Sequence, residues 1–237
     1  MSKLIFIAFV FITATSFSQN SKISISGYGG VNYSNFVVRD DTSGFTYKGL
    51  ITPNMGAKFL YAFTEKVEAG IGVGSIHHAL RTENKNIKSN GVVIGSNAID
   101  FTYFFFEFPI FVKYNIVNNE KLQCFVSAGM QNEYAYKAKS EVYEINITDT
   151  SLQDFEVMIR SAMNQEIKGK ELEDAEINRY QIGVKISTGF ALKLKEYLYL
   201  GAELFSNYHF NTINSNTKSE KYNIYSLGVK GIICIKF

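Results

Sequence analysis

Lys221-Tyr-Asn-Ile-Tyr-Ser-Leu-Gly-Val-Lys-Gly-Ile-Ile-Cys-Ile-Lys-Phe237 closes the chain and alternates almost without error. Tyr225, Leu227, Val229, Ile233, Ile235 and Phe237 fall on odd positions. Ser226, Gly228, Lys230, Cys234 and Lys236 fall on even ones. Successive side chains of a strand point to opposite faces, so a period of two gives one apolar face and one polar face. No helical periodicity competes with it in this stretch. A strand this long, greasy on one side and polar on the other, suits a β-barrel whose outer face meets lipid and whose lumen is polar.

The same alternation recurs upstream, and counting the runs gives eight strands. They are Ile23 to Phe36, Tyr47 to Phe63, Val67 to Thr82, Ile99 to Ile116, Leu122 to Ala138, Arg179 to Leu194, Tyr197 to Ile213 and the terminal one. The links alternate in length. Thr64 to Lys66, Val117 to Lys121 and Lys195-Glu196 are tight, whereas residues 37–46, 83–98, 139–178 and 214–220 are longer and polar. Short turns on one side and long loops on the other are the plan of outer-membrane barrels. The predicted fold class is therefore all-β: an eight-stranded antiparallel transmembrane β-barrel with short periplasmic turns and longer external loops. Runs longer than the ~9–11 residues needed to cross a bilayer should project on the outer side. Tyr33, Tyr134, Tyr136, Tyr208 and Phe210 are candidates for the outer aromatic girdle, and Tyr61, Tyr114 and Tyr197 for the inner one.

The N-terminus reads as a secretory signal peptide over 1–18. One lysine precedes the apolar stretch Leu4 to Ile12, and Ser16-Phe-Ser18 supplies a small-x-small cleavage site before Gln19. The barrel domain is assigned to 19–237, with 139–178 as a long acidic external loop. The location implied is the outer membrane of a gram-negative bacterium after signal-peptide cleavage. Beyond the signal segment no apolar stretch is long enough for a helical span. A formal net charge of +2 with no basic run argues against nucleic acid. The two cysteines, Cys124 and Cys234, fall on opposite faces by strand parity and read as small hydrophobes.

Strand four carries Phe106-Glu107-Phe108-Pro109-Ile-Phe-Val-Lys113-Tyr114. This stretch resembles the E-x-P-x-x-x-K-Y segment of PorT-like outer-membrane barrels, a family of small eight-stranded proteins. Gly29-Gly30-Val-Asn32-Tyr-Ser34, Met55-Gly56-Ala and Glu68-Ala-Gly-Ile-Gly72 are also similar, though these are more generic. The terminal phenylalanine is similar to the C-terminal signature of bacterial outer-membrane proteins. The PorT-like resemblance, carried by Glu107, Pro109, Lys113 and Tyr114, implies an outer-membrane barrel. It also implies a link to protein secretion, because the name-giving member is similar to a component of a secretion and gliding apparatus. The long third loop departs from compact members.

Inward positions include Lys58, Glu68, Glu107, Lys113, Glu133, Lys185, Lys193, Glu203, Lys230 and Lys236. Isolated charges in a narrow barrel are costly, so they must pair or stay hydrated. Glu107 and Lys113 are about 20 Å apart along one strand at ~3.3 Å per residue, so cross-strand partners are required. The expectation is a salt-bridged plug, with an ion-conducting lumen as the rival. His77 and His78 face opposite sides of strand three and cannot share a metal, so no metal, cofactor or catalytic residue is assigned. A lipid-modifying enzyme would need His, Ser and Asp at the outer rim. His78 with Ser89 or Ser206 is conceivable there, but no motif supports it.

Loop 139–178 holds ten of the chain's 22 acidic residues. Within it, Ser151-Leu-Gln-Asp154 reads as a capping box ahead of a short amphipathic helix. Phe155, Met158 and Ile159 are the candidate docking face. The function expected is a non-enzymatic outer-membrane barrel, structural or partner-docking in the envelope. The alternative is a small channel or carrier for ions or hydrophobic molecules. Expected partners are outer-membrane lipid and another envelope protein through the loop, around a monomeric barrel.

Overall fold

A computed structural model describes residues 22–39, 46–83, 85–89, 92–147, 153–214 and 221–237. The expected signal peptide over 1–18, Ser151 and Leu152 of the expected capping box, and most of the links 37–46 and 214–220 lie outside the described residues. The elements are β1 (Ile23–Arg39), β2 (Tyr47–Ala62), β3 (Val67–Thr82), β4 (Lys85–Ser89), β5 (Val92–Glu107), β6 (Ile110–Asn118) and β7 (Leu122–Ile147). There follow α1 (Gln153–Met163), β8 (Gln165–Lys168), α2 (Glu171–Asp174), β9 (Tyr180–Lys195), β10 (Leu198–His209) and β11 (Lys221–Lys236).

The sheet closes on itself. β1 pairs antiparallel with both β2 and β11, β2 with β3, β7 with β9, β9 with β10, and β10 with β11. The stave between β3 and β7 is supplied jointly by β5 and β6. The result is the expected eight-stave ring. Its fourth stave is interrupted at Phe108-Pro109, because proline has no N–H to give the ladder. The Phe108 N–H still donates to Asn132 O at 2.7 Å, and Pro109 O accepts from Gly72 N–H at 2.9 Å. Pairing with both neighbours resumes after Pro109 in unchanged register.

The short turns are built by side chains that substitute for ladder partners. Thr64 Oγ1 accepts from the N–H groups of Lys66 and Val67 at 3.2 and 3.0 Å. Asn119 Oδ1 accepts from Lys121 and Leu122 at 3.0 and 2.7 Å. Such local bonds fold a turn within a few residues.

The opposite side differs from the sequence reading. The described residues of links 83–98 and 139–178 are folded rather than open loops. β4 and β5 form a hairpin, and β7 runs nine residues past the expected end at Ala138, pairing with β5 up to Gly95↔Ile147. β8 pairs β7 from Lys137↔Lys168 to Ser140↔Gln165. A second difference lies in β2. Its register with β3 shifts between Gly49 and Asn54, and an irregularity of this kind exchanges the two faces. Lys48, which a strict period of two would place inside with Lys58, is therefore exposed, and Tyr47 packs against the interior instead.

β7 carries a second fault: its register with β5 shifts between Phe104↔Lys137 and Phe105↔Ala135, so Ala135 and Ala138 both turn into the core. Through the membrane-facing stretches parity holds. Ile51, Met55, Phe59, Val112, Ile186, Leu204, Leu227 and Ile233 form part of an exposed apolar belt. Tyr33, Tyr134, Tyr180 and Tyr225 border it at the outer end, and Tyr61, Tyr114 and Tyr197 at the periplasmic end. Among the described residues no helix is long and apolar enough to cross a membrane; the belt belongs to strands. Cys124 and Cys234 stand on β7 and β11, which are not neighbours in the ring.

Candidate functional site

The interior is stratified. At the periplasmic floor Glu68 meets Lys113 Nζ at 3.1 Å and Lys236 Nζ at 3.8 Å, and Asn115 Nδ2 donates to it at 2.8 Å. Tyr199, Phe125, Ile232 and Cys234 surround that floor. Lys193 is half-buried at the same end.

The middle layer is a network of wholly enclosed charges. Glu107 Oε1 accepts from the Tyr28 hydroxyl and lies 3.6 Å from Lys230 Nζ. Its Oε2 accepts from Gln131 Nε2 at 2.7 Å and lies 3.4 Å from Lys185 Nζ. Lys58 Nζ and Glu203 Oε2 are 2.5 Å apart. Aromatic faces cover the remaining sides of the ammonium groups. Lys230 Nζ is 3.9 Å from the Tyr28 ring centroid and 4.5 Å from that of Phe205. Lys185 Nζ is 4.9 Å from the Phe205 ring. A cation held against a ring face recovers part of the stabilisation it loses on leaving water. Gly228 makes room for this: a Cβ there would run into the Phe205 ring. Glu107 and Lys113 do not pair with each other, as their spacing required; each finds partners on other staves.

Above this layer His78, Glu133 and His209 converge from β3, β7 and β10. His78 Nε2 is 2.9 Å from Glu133 Oε2, and His209 Nε2 is 3.3 Å from Glu133 Oε1. All three side chains are fully buried. The adjacent His77, by contrast, sits on the outer face against Phe104, with ring centroids 4.4 Å apart. Considering histidine only as the neighbouring pair His77-His78 missed this group. Parity already turned His78, Glu133 and His209 inward, but bringing them to one height needs the stagger of the barrel. The serine beside His78 is Ser34, whose Oγ lies 2.7 Å from Nδ1. Ser206 lies on the lipid-facing side of β10, and the Ser89 side chain is outside the described residues.

The mouth is apolar, a layer the sequence reading did not contain. Phe36, Ile76, Leu80, Phe105, Leu172, Ile213 and Ile224 form one buried cluster. Leu172 belongs to α2, inside the supposed external loop, and is completely enclosed. The β8–α2 turn uses Gly169 at φ +57°, a left-handed conformation that glycine adopts without steric penalty. A cavity of about 340 Å³ opens beside this cluster, lined by Tyr47, Thr82, Asn97, Phe101, Tyr103 and Tyr222 among others.

Beyond the mouth, α1 lies on the extension of β7. Ser140 Oγ donates to Met163 O at 2.6 Å, and Asn164 Oδ1 accepts from Val142 N–H at 2.7 Å. Met158 is exposed and Ile159 half-buried; the Phe155 side chain is outside the described residues. Val157, not singled out in the sequence, is the most exposed apolar residue among the described side chains of the helix, at 69%. On β8, Glu166 bonds Lys168 at 2.6 Å and Lys137 at 2.9 Å. These two ammonium groups hold its carboxyl down at about 2. Of the strand-four residues, Glu107 is at the centre of the lumen, Pro109 at the stave break, Lys113 on the floor and Tyr114 in the periplasmic girdle.

Residues 17–213 match the outer membrane protein beta-barrel domain. The chain belongs to that family. It is an outer-membrane protein, as the apolar belt and closed ladder of its barrel require. No curated protein sequence matches it. Among solved structures it is similar to Neisserial surface protein A, with a TM-score of 0.52 at 12% identity, covering 92% of this chain and 98% of that one. OprG of Pseudomonas aeruginosa follows at TM-score 0.42 and 10% identity, covering 92% and 96%. The outer membrane protease OmpT of Escherichia coli gives 0.41 and 8%, covering 94% and 100%. At these identities the likeness to the Neisserial protein is one of fold alone, and the family's fold is the ring described above.

Proposed function

We propose that this family member is a non-enzymatic, non-conducting envelope protein that docks a second envelope protein on its outer platform. The observation that supports this most is the filling of the lumen. Paired charges occupy the floor and middle, and an apolar cluster that includes Leu172 from the outer segment roofs the mouth. Outside the membrane the β4–β5 hairpin, β7, β8 and α1 offer a folded surface, with Val157 and Met158 exposed on the helix. A PorT-like assignment, with its link to secretion, is the finer reading, and Glu107, Pro109, Lys113 and Tyr114 support it.

Two measurements test the proposal. Purified barrel in planar bilayers should be electrically silent; steady single-channel conductance would favour the channel reading. A photo-crosslinking residue at Val157 should capture an envelope protein in intact cells, and one at lipid-facing Ile186 should not. Equal labelling from both positions would remove the docking reading.

The carrier reading has one observation of its own, the cavity of about 340 Å³ at the mouth. Its lining is mainly aromatic and aliphatic, with Thr82 and Asn97 as polar points. Saturable binding of a fluorescent fatty acid, abolished by Leu80→Trp, would favour it.

A further inference from the structure

We propose that His78, Glu133 and His209 form a structural binding site for a divalent transition-metal cation, with zinc the best match. Two imidazoles and one carboxylate are a borderline donor set, suited to zinc rather than to calcium or magnesium, which prefer oxygen alone. Geometry fits this chemistry. The candidate ligand atoms all lie within 4.8 Å of one another. Around a tetrahedral zinc, with bonds of about 2.0–2.1 Å, neighbouring donors stand roughly 3.3 Å apart. The Nε2–carboxylate separations of 2.9 and 3.3 Å are close to that. The two imidazole rings are steeply inclined, at 74° with centroids 5.7 Å apart, so their nitrogens approach from different directions.

Supporting groups orient the ligands. Ser34 Oγ lies 2.7 Å from His78 Nδ1, where it can accept a hydrogen bond from Nδ1–H and leave the Nε2 lone pair for a metal. Asn32 Nδ2 donates to the same Oγ at 2.9 Å, fixing the serine. Gln131 Nε2 donates to Glu133 Oε1 at 2.9 Å. Partners of this kind set the tautomer and direction of metal ligands.

A second observation points the same way. His209 is fully buried, yet neither ring nitrogen makes a hydrogen bond of good geometry among the described residues. Asn207, inward-facing two residues below it, leaves both amide atoms unpartnered. So does the hydroxyl of Ser226, which stands opposite Asn207 on β11. Buried polar groups in native proteins almost always have partners. A cation with a bound water would supply His209 with a ligand bond and give Asn207 and Ser226 a hydrogen-bonding neighbour. The three ligands come from staves that are not adjacent, so the ion would tie three walls of the barrel together. Glu133 and His209 directly precede Tyr134 and Phe210, which puts the site at the height of the outer girdle, beneath the apolar roof.

The full barrel, refolded into detergent with zinc present so that entry is not limiting, is dialysed against buffered zinc and analysed for metal. One zinc per folded chain is expected. It should fall below a tenth in His209→Gln and persist in His77→Gln, whose ring is on the outer face. Folding of each variant is read by heat-modifiable gel migration. Should His209→Gln not fold, X-ray absorption of the zinc-loaded wild type decides: two imidazole shells are expected, and one or none overturns the site. Wild type that folds and retains no zinc overturns it, as does full zinc retention by folded His209→Gln.

Discussion

Lys230 Nζ lies 3.6 Å from Glu107 Oε1, although β11 and β5 stand on opposite sides of the ring. The contact crosses the whole lumen, and Tyr28 of β1 reaches the same carboxylate. Circumferential ladders fix which staves are neighbours. Cross-lumen contacts of this kind fix how far apart facing staves stand.

Glu107→Gln leaves Lys185 and Lys230 without their shared counter-charge in a fully enclosed site. Breaking a buried pair from one side costs about 3–5 kcal/mol. The urea unfolding midpoint in micelles should drop accordingly, with the variant still reaching the barrel form. A midpoint within experimental error of wild type would show that the network is not a structural tie.

Lys58→Met and Glu203→Leu should each destabilise, whereas the double variant should recover most of the loss. Replacing both members of a buried ion pair with apolar groups is often neutral or stabilising. A double-mutant cycle checks this, and strict additivity would mean that the 2.5 Å contact carries no coupling.

Leu172→Ala should open the mouth without melting the barrel. Truncating a buried leucine costs about 2–5 kcal/mol, and here the cost falls on the β8–α2 segment. Limited proteolysis should cut within residues 164–178 far faster than in wild type, while heat-modifiable migration is unchanged. The same reasoning limits any loop deletion. Removing α1 spares the roof, whereas a replacement of residues 143–175 would take Leu172 with it.

Glu166 titrates at about 2, below its ordinary 4.5, because Lys168 and Lys137 stabilise its ionised form. A folded-state pKa that is depressed contributes stability above the unfolded value and loses it as pH falls through the folded one. Protection of the β7–β8 pairing should therefore be constant above about pH 5 and decline between 4.5 and 2. As an exposed group it is screened by salt, so the midpoint should climb in 1 M salt. Titration by NMR checks both, and a low-salt midpoint near 4.5 would contradict the ion pairing.

Membrane parity made most of the barrel readable. Lipid demands apolar residues at every second position, so Ile182 to Leu192 and Tyr225 to Phe237 declare both their strands and their faces. Outside the bilayer that demand lapses. Residues 139–147 of β7 lie beyond the lipid belt; Val142 and Ile145 are buried there, yet the run Glu141, Val142, Tyr143 and Glu144 gives no lipid signal. Leu172 was hidden for a different reason: one apolar residue among Lys170, Glu171, Glu173 and Asp174 has no periodicity, and only the chain's return over the mouth buries it. The fault in β2 came from a register shift at Gly49–Asn54, invisible to a strict period of two. Of the candidate site, the inward charges were legible one by one, but which of them meet depends on the stagger between staves.

The β1–β11 seam runs without interruption from Ser24↔Lys236 to Arg39↔Lys221, uniting the first strand of the barrel with the last. One edge of each strand, sixteen residues long, therefore waits unpaired until the last stave is made. Contacts so distant in sequence are slow to form, since the loop entropy must be lost before any of them gains. Until then β1 offers a long open edge, a template for any passing strand. The time between export and closure is thus when this protein is most exposed to misassembly, and a helper that shields β1 would act in that interval.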